Sequence, residues 1–252
     1  MTALPEPWAS HPLVVTESAH HGWDVSDAWV QDDALLLRLR RAALPDEPGG
    51  LGLYGVGMPD GVARLLLRHA PVWAAEPVGR TTMPRGTRAA LRALTDAVPA
   101  PFDQPAQGAW DWFMLDHAPA PVAGEEHVEE LTGADGLAEA RAEITLAHPM
   151  GELGVDEPRS RWWGWRDDDG VLRGVVGADR RVPGAPWVLG SIGTDPAWRG
   201  RGVAAATTAV AARAGLQEAP IVTLGMYADN AAARRTYTRV GFVVVQENES
   251  SR

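Results

Sequence analysis

A glycine–arginine turn, Arg199-Gly200-Arg201-Gly202, has the residue types in this chain that are best suited to binding an anion. It follows an apolar run, Pro186 to Thr194, and leads into an alanine-rich run without internal proline, Gly202 to Ala219. These patterns predict a strand, a short turn and a helix. The first turn of a helix has backbone N–H groups without intrahelical partners and about half a positive charge from the helix dipole. A diphosphate can therefore be bound there by main chain alone.

The residues of this turn support two interpretations. Gly200 and Gly202 lack a Cβ and can adopt positive φ angles, which lets the backbone close around an anion, while Ala204 keeps the next helical turn small. Arg199 and Arg201 add positive charge beside it. Taken alone, the same residues also suit an ordinary strand-to-helix turn with solvated arginines.

Two polar residues downstream of the turn have side chains that can take part in binding or proton transfer. Asn230 begins a helix-like run and suits an N-cap, since its side chain can accept from unpaired N–H groups. Tyr237 lies in the same run and suits either a packed aromatic residue or a proton donor. The run ends at Gly241-Phe242.

The chain resembles the GNAT acyl-CoA N-acyltransferase superfamily in two spaced motifs. Arg199, Gly202 and Ala204 match the family's diphosphate loop, Gln/Arg-x-x-Gly-x-Gly/Ala. The segment from Asn230 to Phe242 is similar to the family's Asn-x-x-Ala-x-x-x-Tyr-x-x-x-Gly-Phe. The resemblance covers the C-terminal half of the chain, and the N-terminal half is not recognised.

The resemblance implies an α+β fold with a mixed sheet and an N-acetyltransferase that uses acetyl-CoA as co-substrate. The pantetheine arm would extend the sheet along the strand before the loop, as an added strand does. An amine would attack the thioester directly, a strand N–H would hold the oxyanion, and Tyr237 would be the catalytic acid for the departing thiolate. The implied cofactor-binding residues are Ile192, Gly193, Thr194, Arg199, Gly200, Arg201, Gly202, Val203, Ala204, Ala205 and Asn230.

The general base is not assigned. Some members of the family have a glutamate five residues before the asparagine, where this chain has Gly225. Glu143, His148 and Glu152 lie where the family often shapes its acceptor site, but we expect each to be a solvated helix or loop residue. A relay of water molecules is an equal alternative, and an amine that is partly neutral would need little help.

Composition limits the remaining chemistry. The chain has no cysteine, so a cysteinyl acyl-enzyme is excluded, and no His-Glu-x-x-His run, so we expect no metal site. No run approaches the roughly 20 apolar residues of a membrane span, and a cytoplasmic enzyme is expected. The net charge of −10 argues against binding to nucleic acid or anionic membrane and would attract a cationic amine. A homodimer stays open.

The order of elements predicts two units. We expect an N-terminal α+β accessory domain at residues 1–118 that shapes the acceptor pocket, with a degenerate GNAT-like unit as one interpretation, a linker at 119–125 and the GNAT catalytic domain at 126–252. In the first half, helix-like runs are expected at 33–43, 60–69 and 85–97, and a strand is expected at 110–116. In the second half, a strand is expected at 127–132, a helix capped near Asp135 at 134–147, and a hairpin at 161–178.

Three functions fit this sequence. The first is an N-acetyltransferase for a small-molecule amine. The second is a related enzyme that acetylates a protein N-terminus or lysine. The third is a noncatalytic CoA-binding sensor or interaction module, for which the glycine at position 225 leaves room.

Overall fold

The computed structural model describes residues 4–41, 50–73, 76, 78–149, 151, 153–157 and 159–251. The chain divides into two compact units that alternate along the sequence. The first unit contains Met1–Trp112, Tyr227–Asp229 and Val245–Arg252, and the second contains Phe113–Met226 and Asn230–Val244. The contiguous boundaries that the sequence suggests, 1–118 and 126–252, stay a prediction.

Among its described residues, the first unit contains three α-helices and four complete strands, together with parts of further strands. Its helices are α1 (Pro12–His21), α2 (Pro59–Trp73) and α3 (Thr87–Leu94). Its strands are β1 (Asp24–Gln31), β2 (Ala34–Arg41), β3 (Gly50–Gly57), β4 (Val78–Pro84), most of β5 (Gly108–Leu115) and most of β11 (Val243–Ser251). The strand order in this unit is β1-β2-β3-β4-β11-β5.

The second unit contains the residues that the sequence singles out for chemistry. Its helices are α4 (Gly133–Ala147), α5 (Val203–Leu216) and α6 (Ala231–Val240). Its complete or nearly complete strands are β6 (Val128–Leu131), β7 (Ser160–Arg166), β8 (Leu172–Asp179), β9 (Trp187–Thr194) and β10 (Val222–Tyr227). The strand order is β5-β10-β9-β8-β7-β6, with the end of β5 at one edge.

Both units contain the same succession of strand pairings. Antiparallel strands lead to a parallel pair, β3 with β4 in the first unit and β9 with β10 in the second. A helix connects the two strands of each parallel pair, as parallel pairing requires, and these helices are α2 and α5. The predicted α+β class with a mixed sheet is confirmed.

The core of the second unit lies on both faces of its sheet. One apolar cluster joins α5 and α6 to the strands through residues such as Ala209, Val240 and Phe242. A second cluster joins α4 to the other face through Ala140 and Val175. Both faces of β8 and β9 are therefore covered, which explains why these strands are rich in small and apolar residues.

One predicted helix is wrong. The run at 33–43 favours a helix because leucine and arginine are good helix formers, yet its described part forms β2. Pairing with β1 on one side and β3 on the other overrides that propensity, because it buries Leu35, Leu37 and Leu39. The predicted cap of α4 at Asp135 is also wrong, since Thr132 occupies the N-cap position without a side-chain hydrogen bond.

The last strand is held in the first unit by a buried arginine. Arg88 is 3% exposed and donates from Nη2 to Ser251 Oγ (2.8 Å) and from Nε to the carbonyl of Gln104 (3.1 Å). Its backbone N–H donates to Glu249 Oε1 (2.9 Å), and its Nη1 lies 3.4 Å from the same oxygen. Burying a guanidinium is costly unless it is paired in this way, so the contacts of Arg88 depend on β11 being in place.

Arg88→Met should lower the stability of the first unit by about 2–4 kcal/mol, because Ser251 and the Gln104 carbonyl lose a hydrogen bond and Glu249 loses an ion pair. Arg92→Met is the matched control, since Arg92 lies one turn along α3 and is exposed. Urea unfolding followed by circular dichroism measures the difference. Equal midpoints for the two variants would contradict this role of Arg88.

Candidate active site

The glycine–arginine turn forms an open backbone cradle at the start of α5. Gly200 and Gly202 have φ angles of 76° and 91°, which residues other than glycine rarely adopt. A Cβ placed on either glycine would meet nothing within 4 Å, so both face open space. Gly202 is the N-cap of α5 and supplies no side chain to the free N–H groups of the first turn. The predicted strand–turn–helix arrangement is present. No side chain among the described residues caps the N–H groups in the first turn of α5, so they can bind an anion.

The two arginines of the cradle differ in their contacts. Arg199 donates to the carbonyls of Thr194 (3.3 Å) and Ala147 (3.2 Å), so it joins the end of β9 to the last turn of α4. Arg201 lies over the ring of Trp198, with 4.6 Å from its guanidinium carbon to the ring centroid. Both arginines are exposed. Arg199 therefore has a structural role that the sequence pattern does not indicate.

Strand β9 leaves its parallel neighbour before it reaches the cradle. The paired residues of β9 and β10 run from Trp187 with Val222 to Leu189 with Leu224. The register of β9 against β8 then shifts, and Ser191 within that shift has a φ of 48°. This irregularity is a β-bulge, which bends a strand and redirects its edge.

The bulge is followed by the three residues that the family resemblance assigns to the pantetheine arm. Ile192 packs against the cluster that contains α5 and α6. Gly193 lies under α4, and a Cβ there would come within 2.9 Å of the Cβ of Ala147. Thr194 Oγ1 is buried and has no hydrogen-bond partner among the described residues. The three residues continue β9 beyond the residues that pair with β10.

Ser191 also fixes the loop that follows α4. Its hydroxyl donates to the carbonyl of Leu153 and accepts from the N–H of the same residue, both at 2.9 Å. Beside this contact lies a cavity of about 300 Å³. Its walls come from the end of α4 and the loop, and include Arg141, Ile144, His148, Leu153, Val155 and Asp156. Glu152 lies outside the described residues.

The predicted N-cap at Asn230 is present. Its Oδ1 accepts a hydrogen bond from the N–H of Ala233 (3.0 Å) at the start of α6. Helix α6 ends at Gly241, whose φ of 114° allows the left-handed C-cap that glycine favours. These two residues fix both ends of the helix that carries Tyr237.

Tyr237 is buried on α6 between two phenylalanines. Its ring centroid lies 6.0 Å from that of Phe113 and 6.4 Å from that of Phe242, both in edge-to-face arrangements. Burial raises the pKa of the Tyr237 hydroxyl above its usual value of 10. The phenol therefore keeps its proton throughout the neutral range, as a proton donor must.

The carboxyl group of Glu143 on α4, which the sequence analysis expects to be solvated, is buried. Glu143 is 6% exposed, and its Oε1 has no hydrogen-bond partner among the described residues. Burial, and next the charge of Asp195, raise the pKa of Glu143 to about 7, against the opposing effects of the Asp195 N–H and Arg173. The expectation of a solvated helix residue is wrong. Glu143 lies three residues after Ala140 and four before Ala147, so all three residues share one face of the helix. This spacing is the signal in the sequence that indicates burial of Glu143.

Two further positions concern the unassigned general base. Gly225 lies exposed on β10 and offers no side chain. His148 lines the cavity beside Leu153, and its Nδ1 is buried without a partner in the described part of the chain. No group of three or more His, Cys, Asp or Glu side chains suited to a metal ion occurs among the residues described above. Within the same ranges, no helix is long and apolar enough to cross a membrane.

Comparisons with known proteins agree with this geometry. The model of the acetyltransferase (GNAT) family matches residues 125–242. A GNAT-family acetyltransferase from Novosphingobium aromaticivorans is 19% identical, with coverage of 95% of this chain and 94% of that chain and a TM-score of 0.50. One from Colwellia psychrerythraea is 12% identical, with coverage of 86% and 84% and a TM-score of 0.53. At these identities the structures show a shared fold. No curated protein sequence matches the chain.

Glu143 should make the stability of the second unit fall as pH rises through neutrality. Its pKa is raised from 4.5 to about 7 in the folded state, so the folded protein holds this proton more tightly than the unfolded chain. The resulting stability is fully present below pH 4.5 and is lost as pH rises through about 7, a change of up to roughly 3 kcal/mol. Glu143→Gln removes this dependence, and its melting temperature should exceed that of the wild type at pH 8.

The matched control is Glu139→Gln, which removes an exposed carboxylate from the same helix. Thermal melts between pH 4.5 and 8.5 measure the three slopes. A Glu143→Gln slope equal to that of the wild type would show that this carboxyl group titrates normally.

Proposed function

We propose that this chain transfers an acetyl group from acetyl-CoA to the primary amine of a small molecule, because residues 125–242 match the model of the acetyltransferase (GNAT) family. The observation that carries the proposal is the open glycine cradle at the uncapped start of α5, directly after a strand that has left its parallel neighbour. Both features are backbone features, and acyl-CoA is a substrate with a diphosphate and an amide-bearing arm that main-chain groups can bind.

The cradle suits the diphosphate of acetyl-CoA. The N–H groups from Gly200 to Ala205 surround the start of α5, where the helix dipole favours negative charge. The positive φ angles of Gly200 and Gly202 bring the backbone close without side chains in the way. Arg199 and Arg201 supply positive charge at the rim. Val203 and Ala204 follow within the first turn, and the buried Val203 anchors the helix against Gly174.

The pantetheine arm has a suitable edge on β9. Ile192, Gly193 and Thr194 lie beyond the last paired residues of β9 and β10, so an extended arm with amide groups can pair with their backbone. Asn230 caps α6 with its Oδ1 and would contact the arm through its amide nitrogen. A strand N–H next to the bulge would hold the oxyanion that develops on the thioester.

The reaction that follows is direct attack in a ternary complex. The amine nitrogen forms a bond to the acetyl carbon, the carbon–sulfur bond breaks, and the sulfur receives a proton from Tyr237. The phenol of Tyr237 is neutral at neutral pH and so holds the proton that the thiolate needs. Its raised pKa makes it a weaker acid, but burial also makes a thiolate beside it more basic, which favours the transfer. The proton lost by the amine passes to water or to His148 at the cavity wall, and Tyr237 regains a proton from solvent before the next turnover.

The cavity beside Ser191 is our proposed acceptor site. Its volume of about 300 Å³ suits a small molecule, and its walls combine apolar Ile144, Leu153 and Val155 with the Arg141–Asp156 ion pair. The net charge of −10 favours approach of a cationic amine. We further propose that the protein acts in the cytoplasm, where acyl-CoA is available, and that its partners are small molecules. A homodimer stays open.

Gly202→Glu should abolish acetyl-CoA binding, because the new side chain would enter the cradle and place a negative charge beside the diphosphate. Gly184→Glu is the matched control, since Gly184 has a φ of 80° and open space around its Cβ position but lies in another turn. Calorimetric titration with acetyl-CoA compares the two variants with the wild type. Tight binding by Gly202→Glu would remove the cradle from the proposal.

Tyr237→Phe should lower kcat by roughly 10²–10⁴-fold and leave the Kd for acetyl-CoA nearly unchanged, because only the proton donor is lost. Tyr227→Phe, which changes an exposed tyrosine, is the control. Thiol release across a panel of small amines measures turnover. Unchanged turnover in Tyr237→Phe would exclude this residue as the acid, and binding without turnover in the wild type across the panel would favour the noncatalytic CoA-binding module.

A further inference from the structure

A network of charged side chains lies directly before the cradle and involves three carboxyl groups and one guanidinium. Arg173, at the start of β8, donates to Asp167 Oδ2 (2.7 Å) and to Asp195 Oδ2 (3.0 Å). Glu143 lies close enough for the charges of Asp195 and Arg173 to act on its carboxyl group. With all groups ionised, three negative charges would share one positive charge in a buried place, which is unfavourable.

Asp195 connects this network to the cradle. Its Oδ1 accepts from the N–H of Ala197 (2.9 Å) and so caps the single turn of 3-10 helix at Pro196–Trp198. That turn runs directly into the cradle at Arg199. Both oxygens of Asp195 are thus engaged, and a change in its charge environment acts on the residues that position the diphosphate site.

A second connection runs through an aromatic ring. The guanidinium carbons of Arg173 and Arg201 lie 5.3 Å and 4.6 Å from the ring centroid of Trp198. Arg173 therefore contacts the carboxyl network and the ring that also contacts an arginine of the cradle. Arg199 adds a third link, since it bonds the carbonyl of Ala147 one turn after Glu143 on α4.

The groups that face Glu143 compensate its ionised form only in part. Asp195 follows β9 and is negative, and Arg173 of β8 is the positive group, already shared with Asp167. On α4 itself, Glu139 and Arg141 are paired outward with Arg166 and Asp156. His148 lies at the end of the same helix and lines the cavity. From α5, the contribution is the positive end of the helix dipole at the cradle, where a bound diphosphate would place opposing charge.

We propose that the carboxyl group of Glu143 takes up a proton when the diphosphate of acyl-CoA binds in the cradle. This inference rests on the proposed function, which it extends to the regulation of the same site. Negative charge that arrives at the cradle disfavours the ionised form of a buried carboxyl group nearby. By linkage, a binding step that takes up a proton weakens as pH rises. Affinity for acyl-CoA therefore depends on pH through a residue that does not touch the ligand.

The size of the effect follows from the protonation of Glu143 in the free protein. With a pKa of about 7, about one quarter of Glu143 is protonated at pH 7.5. If the proton affinity of Glu143 is tenfold higher in the complex, its protonated fraction rises to about three quarters. The complex then takes up about half a proton per ligand bound. The Glu143→Gln variant is neutral at every pH. Its affinity should exceed that of the wild type by up to about tenfold at pH 8.5 and equal it near pH 5.5.

Calorimetric titration with acetyl-CoA tests this in two buffers of different ionisation enthalpy, HEPES and Tris, at pH 7.5. We expect wild type and the surface control Glu139→Gln to take up about half a proton more than Glu143→Gln. The phosphates of the ligand titrate equally with all three proteins and cancel in the difference. The gain in affinity at pH 8.5 is a second readout, because a mutation that only damages the fold does not tighten binding.

The outcomes separate this inference from the function on which it rests. Binding by all three proteins with the same proton uptake would overturn the role of Glu143 and leave the proposed function standing. No binding by the wild type would overturn the proposed function, and the role of Glu143 with it. A difference in uptake that Glu139→Gln shares with Glu143→Gln would show a general effect of charge on α4 and would also overturn the inference.

Discussion

The separation of β9 from β10 after Leu189 is the constraint on which the rest of the second unit depends. In a covered sheet, the N–H and C=O groups of a strand normally form hydrogen bonds with neighbouring strands, because buried backbone groups are costly when unpaired. Here the bulge at Ser191 redirects the edge, and the strand ends in a turn whose glycines keep the backbone accessible. The same loss of pairing that weakens the sheet locally creates a place where another extended, amide-bearing chain can bind.

Close approach of α4 compensates for part of that loss. Gly193 allows the helix to pack directly on β9, and Arg199 bonds the end of the helix to the end of the strand. The Ser191 hydroxyl then attaches the following loop through both backbone groups of Leu153. A helix packed this closely buries whatever lies on its inner face, which includes the carboxyl group of Glu143. An ionisable group is therefore held in the interior by the same packing that supports the cradle.

The sequence predicts the parts of this site that depend on local backbone chemistry. The glycines of the cradle, the Asn230 cap and the Gly241 helix end each follow from residue type and spacing, and all three are present. It predicts poorly what depends on contacts far apart in the chain. The strand β2 has helix-forming residues but pairs on both sides, and the pKa of Glu143 depends on the charges of Asp195 and Arg173, which are distant in sequence. Ser191 gives no signal, since serine rarely adopts a positive φ and nothing near it marks a bulge.

The first unit shows that topology alone does not make the same site. It has the same parallel pair and connecting helix, and the paired residues of β3 and β4 end at Tyr54 with Thr82. Beyond that point the Gln246 carboxamide accepts from the Gly57 N–H and donates to the Gly55 carbonyl, each at 3.0 Å. The backbone groups that are exposed for pairing in the second unit are thus satisfied by a side chain here. Asp60 in the first turn of α2 adds negative charge where α5 has glycines and arginines, which disfavours a diphosphate at that helix end.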